Sequence, residues 1–152
     1  MSDIWQSDDI RGAIAAGWLV VGASIDRVSS LAGRRLGYLA TAYPETWTAR
    51  ATLQHLGNAY FWYQEFGHFG VKTVSPALLA AMVTGQDGFC ADQASTWQGW
   101  CQPVLNASGF VIVPPGPLTR ACPHVQRDVV TALSGNRRVF VMADAVGALG
   151  VL

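Results

Sequence analysis

The chain has 152 residues, of which 51% are hydrophobic and only 13% charged, and its ten basic residues balance its ten acidic ones. This length predicts one domain covering residues 1–152. The neutral balance argues against direct binding of nucleic acid, and the apolar run at residues 12–24 is too short to cross a bilayer. Acidic residues stand in "MSDIWQSDDIR" where a secretory signal would be basic, so we expect a location inside the cell or within a particle.

The first predicted element is a long helix from residue 8 to about residue 41. Apolar residues recur there at spacings of three and four, as on one face of a helix. Ser7 is suited to the N-cap, and the acidic Asp8 and Asp9 suit the positive end of the helix dipole. Five glycines in this stretch lower its helix propensity, which indicates close approach of another helix or a break near Gly33.

A second long helix is predicted from residue 46 to residue 66, ending at Gly67. Its second half, "YFWYQEF", is aromatic around nearly the whole circumference. A helix that is apolar on all sides is typical of the centre of a domain. The alternative is an aromatic interface, because aromatic residues are enriched in interface cores.

Shorter elements are predicted in the second half of the chain. Ser75, Pro76 and Gly85 carry the signals of a capped helix, and Pro123 and Gly135 carry those of another. In chain order we expect a strand at 68–74, helices at 75–85 and about 91–100, a strand at 109–113, a turn at 114–117, a helix at 122–135 and a strand at 138–144. The fold class expected is therefore α+β: a helical N-terminal half with two long helices, joined to a mixed C-terminal half of short helices and a small sheet.

The stretch "DGFCADQASTWQGWC" contains Cys90 and Cys101. An odd number of cysteines and the lack of a recognisable signal peptide argue against a disulfide between them. The two thiols, with Cys122 and His124, could supply the four ligands of a tetrahedral zinc site, although their spacing is not that of a zinc finger. The simplest alternative is that the thiols are buried and behave as small hydrophobic groups.

A catalytic thiol is a further alternative. Cys90 precedes the helix predicted at about 91–100, and a helix N-terminus favours the thiolate. His68, at the start of a predicted strand, is the best candidate for its base. Histidine on a strand followed by cysteine at a helix start is similar in outline to permuted papain-like folds such as the lecithin retinol acyltransferase-type proteins. This chain has a gap of only 22 residues and no Asn-Cys pair, and both depart from that pattern.

The lead hypothesis for function is a non-enzymatic structural subunit that assembles with copies of itself, of the virion or phage-particle type. Its basis is the low charge, because a surface this apolar is expected to be covered by other subunits. The alternatives are a small cysteine-dependent hydrolase using Cys90 and His68, and a small-ligand binding protein with an aromatic pocket. The lead hypothesis needs no cofactor. Its expected interface residues are Tyr60, Trp62, Tyr63, Phe66, Phe69, Val146, Leu149 and Leu152.

Overall fold

A computed structural model describes residues 4–42, 49–84, 94–116 and 119–143. After a short 3-10 turn at Ile4–Gln6, the helices are α1 (Asp8–Ala15), α2 (Ile25–Ala32), α3 (Ala49–His68), α4 (Pro76–Thr84), α5 (Ala94–Ala107) and α6 (Pro123–Ser134). The strands are β1 (Leu19–Ala23), β2 (Gly37–Leu39), β3 (Thr73–Val74), β4 (Phe110–Val113) and β5 (Arg138–Met142).

The strands form one parallel sheet in the order β1-β5-β4-β2-β3. All residues of β2 and β4 are buried, whereas edge strand β1 is buried only at its two ends. Parallel strands covered on both faces have near-continuous apolar sequences, and "FVIV" and "VFVM" fit this description. The sheet is therefore the middle layer of the domain.

Two apolar clusters lie on opposite faces of the sheet. On the first, called the α6 face, helices α1, α5 and α6 pack against side chains that include Leu19, Tyr38 and Val111. On the second, called the α3 face, α2 and α3 pack against Leu39 and Phe110. Because side chains alternate along a strand, neighbouring residues of β2 and of β4 serve different clusters. The result is a three-layer α/β domain.

The predicted long helix at 8–41 is wrong. Its residues form α1, β1, α2 and β2, and glycines with positive φ break it at Gly17 (76°), Gly22 (69°) and Gly33 (60°). Such backbone angles are open to glycine and rare for other residues. Ser24 begins the second helix, since its hydroxyl accepts a hydrogen bond from the Arg27 amide at 3.2 Å.

The expected α+β class, with two long helices in the first half, is therefore also wrong. Of the helices described in the first half of the chain, α3 alone is long, and three of the five parallel strands lie in the same half. The strand predicted at 68–74 is reduced to Thr73–Val74, because α3 continues through His68. Strands alternating with helices are the pattern of an α/β sheet rather than of an α+β fold.

The capped helices and the last two strands are confirmed. Helix α4 starts at Pro76, and the Ser75 hydroxyl accepts a hydrogen bond from the Leu78 amide at 3.4 Å. Helix α6 starts at Pro123 with Cys122 at the N-cap position, and β4 and β5 lie where the apolar runs predict them. Helix α5 extends beyond its expected end, to Ala107, with Pro103 inside it.

Candidate functional site

The sheet has a topological switch point between β2 and β4. These neighbouring strands continue into helices on opposite faces, β2 into α3 and β4 into α6. In open α/β sheets, ligands bind in the crevice outside the carboxyl ends of the strands at such a point. A ligand site is therefore expected at the segments after Leu39 and after Val113.

Helix α3 contacts both of these segments. His55 makes a hydrogen bond to the Ala42 backbone beyond β2, and Trp62 donates from Nε1 to the Pro115 carbonyl beyond β4 at 2.9 Å. These two α3 residues are seven apart, two helical turns, so they lie on one face of the helix. Helix α3 thereby contacts both of the segments that follow the switch-point strands.

Gly116, in the segment after β4, is required by close packing. A Cβ there would collide with the Asn58 side-chain amide and would approach Thr119 Oγ1 to 2.9 Å. Asn58 lies on α3 between the two tethering residues, so this segment is pressed against the helix. The backbone at Gly116 is therefore held in a fixed position.

Two hydroxyl groups that follow the switch-point strands are buried and unsatisfied. Thr41 and Thr119 are each 3% exposed, and the Oγ1 atom of each has no hydrogen-bond partner among the described residues. An unsatisfied buried hydroxyl costs about 1–3 kcal/mol. Thr41 follows β2 and Thr119 follows β4, so both costs fall in the segments after the switch-point strands.

On the α6 face, Tyr38 of β2 and Asp128 of α6 form a hydrogen-bonded pair. Tyr38 is fully buried, and its hydroxyl donates to Asp128 Oδ2 at 2.9 Å. Burial raises the pKa of the Asp128 carboxyl from 3.8 to about 6, although the Tyr38 hydrogen bond and the Arg127 charge act in the opposite direction. A carboxyl group that titrates near neutrality beside a switch point is a candidate functional group.

His124 lies one helical turn before Asp128 on α6. Burial and the nearby Arg127 charge lower its pKa below the usual value, so the ring is neutral near pH 7. Its Nδ1 atom lies 2.5 Å from Arg127 Nη2, a distance at which the neutral ring accepts a hydrogen bond from the guanidinium. The N-terminal half of α6 thus presents a neutral imidazole, a cation and a titrating carboxyl.

The described residues of the expected cysteine and zinc sites differ in where they lie and in how deeply they are buried. Cys90 lies outside the described residues, Cys101 is half-buried on α5, and Cys122 is 6% exposed within the apolar cluster of the α6 face. His68 is exposed at the end of α3, with its Nδ1 atom 3.7 Å from Glu65 Oε1. Over the described ranges, no group of three or more His, Cys, Asp or Glu side chains is placed to hold a metal ion.

The expected interface residues of α3 divide between two sides of the helix. Phe66 is fully buried and Trp62 is half-buried, so these two pack inside the domain. Tyr60, Tyr63 and Phe69 are 53%, 45% and 44% exposed. The expectation of a helix buried on all sides is therefore wrong. Val146, Leu149 and Leu152 lie outside the described residues.

Tyr38, Thr41, Thr119 and Asp128 were not predicted from the sequence. A signal for Asp128 is present in α6, where an acidic residue adjoins the apolar series formed by Val125, Val129 and Ala132, all fully buried. No comparable pattern identifies Tyr38, because tyrosine is an ordinary residue in a buried strand.

None of the helices in the described ranges has the length and apolar character needed to span a bilayer. No protein-family model matches this sequence, and no curated protein matches it either. The functional interpretation therefore depends on the geometry of the site.

Proposed function

We propose that this protein is an enzyme acting on a small polar molecule, which binds at the carboxyl ends of β2 and β4, with Asp128 as the general acid–base group. The observation that carries the proposal is the Tyr38–Asp128 pair: a largely buried carboxyl with a pKa of about 6, next to the switch point. General acid–base catalysis is most effective when the pKa of the group lies near the working pH.

Each neighbouring group has a role in this proposal. The Tyr38 hydroxyl holds one carboxylate oxygen, which leaves Asp128 Oδ1 to exchange a proton with the substrate. The positive charge of Arg127 lowers the pKa of Asp128 and so offsets part of the increase that burial causes.

The test is a comparison of turnover by the wild type and by Asp128→Asn. Each protein is incubated at pH 6.5 with pooled small polar metabolites, and the loss of each compound is followed by mass spectrometry. We expect the wild type to consume a compound that Asp128→Asn consumes 10²–10⁴-fold more slowly, the usual contribution of such a group. Asp26→Asn, at an exposed carboxylate on α2, is the matched control and retains full activity.

A second readout does not depend on finding the substrate. The carboxyl carbon of Asp128 is followed by ¹³C NMR between pH 3 and pH 9, and a midpoint near pH 6 is expected. A midpoint near pH 4, the ordinary value for aspartate, contradicts the proposal. Equal turnover by the wild type and Asp128→Asn also contradicts it.

Assembly into a particle of the virion or phage type remains a prediction, as does a cysteine-dependent hydrolase using Cys90. The apolar side chains exposed on α3 favour association of the protein with another chain. Association and catalysis are compatible, because the exposed side of α3 is opposite to the side that contacts the segments after β2 and β4.

A further inference from the structure

Between residues 53 and 64, one side of α3 is exposed, largely apolar and without a charged residue. Leu53, Tyr60 and Phe61 are 73%, 53% and 52% exposed, and they share this side with Gly57 and Gln64. We call this set of five residues the outer face of α3. The buried residues of the helix, including His55 and Phe66, lie on the opposite side. No Lys, Arg, Asp or Glu occurs between residues 53 and 64.

We infer that the outer face of α3 is the interface of a homodimer, in which α3 of one protomer packs against α3 of its partner. Because the face carries no formal charge, bringing two copies together introduces no like-charge repulsion. A symmetric dimer places the same patch on both subunits, so a patch must tolerate contact with itself. This proposal is independent of the proposed enzymatic function.

The outer face exposes much of the apolar area that a dimer needs. An aromatic side chain has about 150–250 Å² to bury, so the exposed halves of Tyr60 and Phe61, together with Leu53, offer on the order of 300 Å². A standard interface buries about 800 Å² per partner, of which about 65%, roughly 500 Å², is apolar in a homodimer. The outer face therefore supplies more than half of the apolar area of a standard interface.

Gly57 provides a separate argument for close approach by another helix. It lies inside α3, where glycine is less favourable than alanine. A Cβ at this position would meet no described atom within 4 Å, so packing inside the described part of the protomer does not require glycine. A second α3 crossing at this point would require it, because a residue without a side chain lets two helix axes approach closely. Gln64 Nε2 donates to the Tyr60 hydroxyl at 2.9 Å, which holds the aromatic ring beside this position.

The test is the mass of the full-length protein in solution, measured by light scattering after size exclusion and by sedimentation velocity. The wild type is expected at twice the protomer mass of 16.3 kDa. Gly57→Arg places a long cation at the centre of the outer face and is expected at the protomer mass, with a dissociation constant raised at least 100-fold. Tyr60→Glu is expected to act in the same way.

Gly12→Arg is the matched control. Gly12 is also an exposed glycine inside a helix, α1, and a Cβ added there would meet no described atom within 4 Å, so this variant is expected to remain dimeric. Far-ultraviolet circular dichroism checks that each variant is folded. A wild type that stays at 16.3 kDa at 200 µM overturns the inference. So does an oligomer that Gly57→Arg and Tyr60→Glu, both folded, leave intact, or that Gly12→Arg disrupts equally.

Discussion

Replacing Asp128 by asparagine is expected to change how the stability of the protein depends on pH. Burial raises the pKa of this carboxyl from 3.8 to about 6 in the folded chain, whereas the unfolded chain titrates near the ordinary value of about 3.9. Between pH 4 and pH 6 the folded protein therefore retains a proton that the unfolded chain has released. The free energy of unfolding consequently falls as pH rises through this window.

The size of this loss follows from the two pKa values. Each pKa unit corresponds to about 1.4 kcal/mol. The free energy of unfolding is therefore lower by about 3 kcal/mol once Asp128 is fully ionised in the folded protein, at pH values well above 6. Asparagine has a similar shape, can accept the Tyr38 hydrogen bond through its side-chain oxygen, and does not ionise. Because the unfolded carboxyl is already about half ionised at pH 4, the stability of Asp128→Asn relative to the wild type should increase by about 2 kcal/mol between pH 4 and pH 8.

Urea unfolding at pH 4, 5, 6, 7 and 8, followed by tryptophan fluorescence, measures this difference. The comparison uses how each free energy of unfolding changes with pH and not its absolute value, because this removes any pH-independent effect of the substitution on packing. Asp26→Asn, at an exposed site, should show no comparable trend. If the difference in unfolding free energy between Asp128→Asn and the wild type stays constant within about 0.5 kcal/mol from pH 4 to pH 8, the pKa of Asp128 is not raised. The proposed catalytic role of Asp128 is then contradicted as well.

Three further substitutions test the surroundings of the site and the core. Tyr38→Phe should raise the pKa of Asp128 above about 6, because the lost hydrogen bond favoured the charged form; ¹³C NMR titration measures this, and an unchanged pKa contradicts it. Gly116→Ala should lower stability by about 1–3 kcal/mol by overpacking against Asn58, and calorimetry would show a lower Tm. Phe110→Ala should cost about 3–5 kcal/mol in urea unfolding, because the ring is fully buried in the core; a loss below 1 kcal/mol would show that the core tolerates the cavity.

The second half of the fold could be predicted from the sequence because its boundaries are marked by specific residues. Proline at the first turn of α4 and of α6 has a fixed φ that suits a helix start and lacks the amide hydrogen that a helix start leaves unpaired. The strand "FVIV" is short, β-branched and bounded by Gly109 and Pro114. In these places the local backbone preference and the tertiary structure agree.

The first half could not be predicted in the same way because its periodicity is ambiguous. Trp18, Val21, Ile25 and Val28 recur at spacings of three and four, which is typical of a helix. In the structure Trp18 directly precedes β1 and Val21 belongs to it, whereas Ile25 and Val28 belong to α2. A short apolar run does not distinguish a buried strand from a buried helix by its period. The more reliable signal was the glycines, because Gly17 and Gly33 take positive φ at the ends of α1 and α2.

The candidate site is a property of the strand order, which no local pattern specifies. Tyr38 and Asp128 are 90 residues apart in the chain, and they meet because β2 is inserted next to β4 in the middle of the sheet. The same insertion places the helices after these two strands on opposite faces, which makes the carboxyl ends of β2 and β4 a switch point. Moving β2 to another place in the sheet would therefore remove the hydrogen bond and the switch point together. An acidic residue on the buried side of an apolar helical series, as in α6, is the one local feature from which this site could have been predicted, since burying a carboxyl costs free energy.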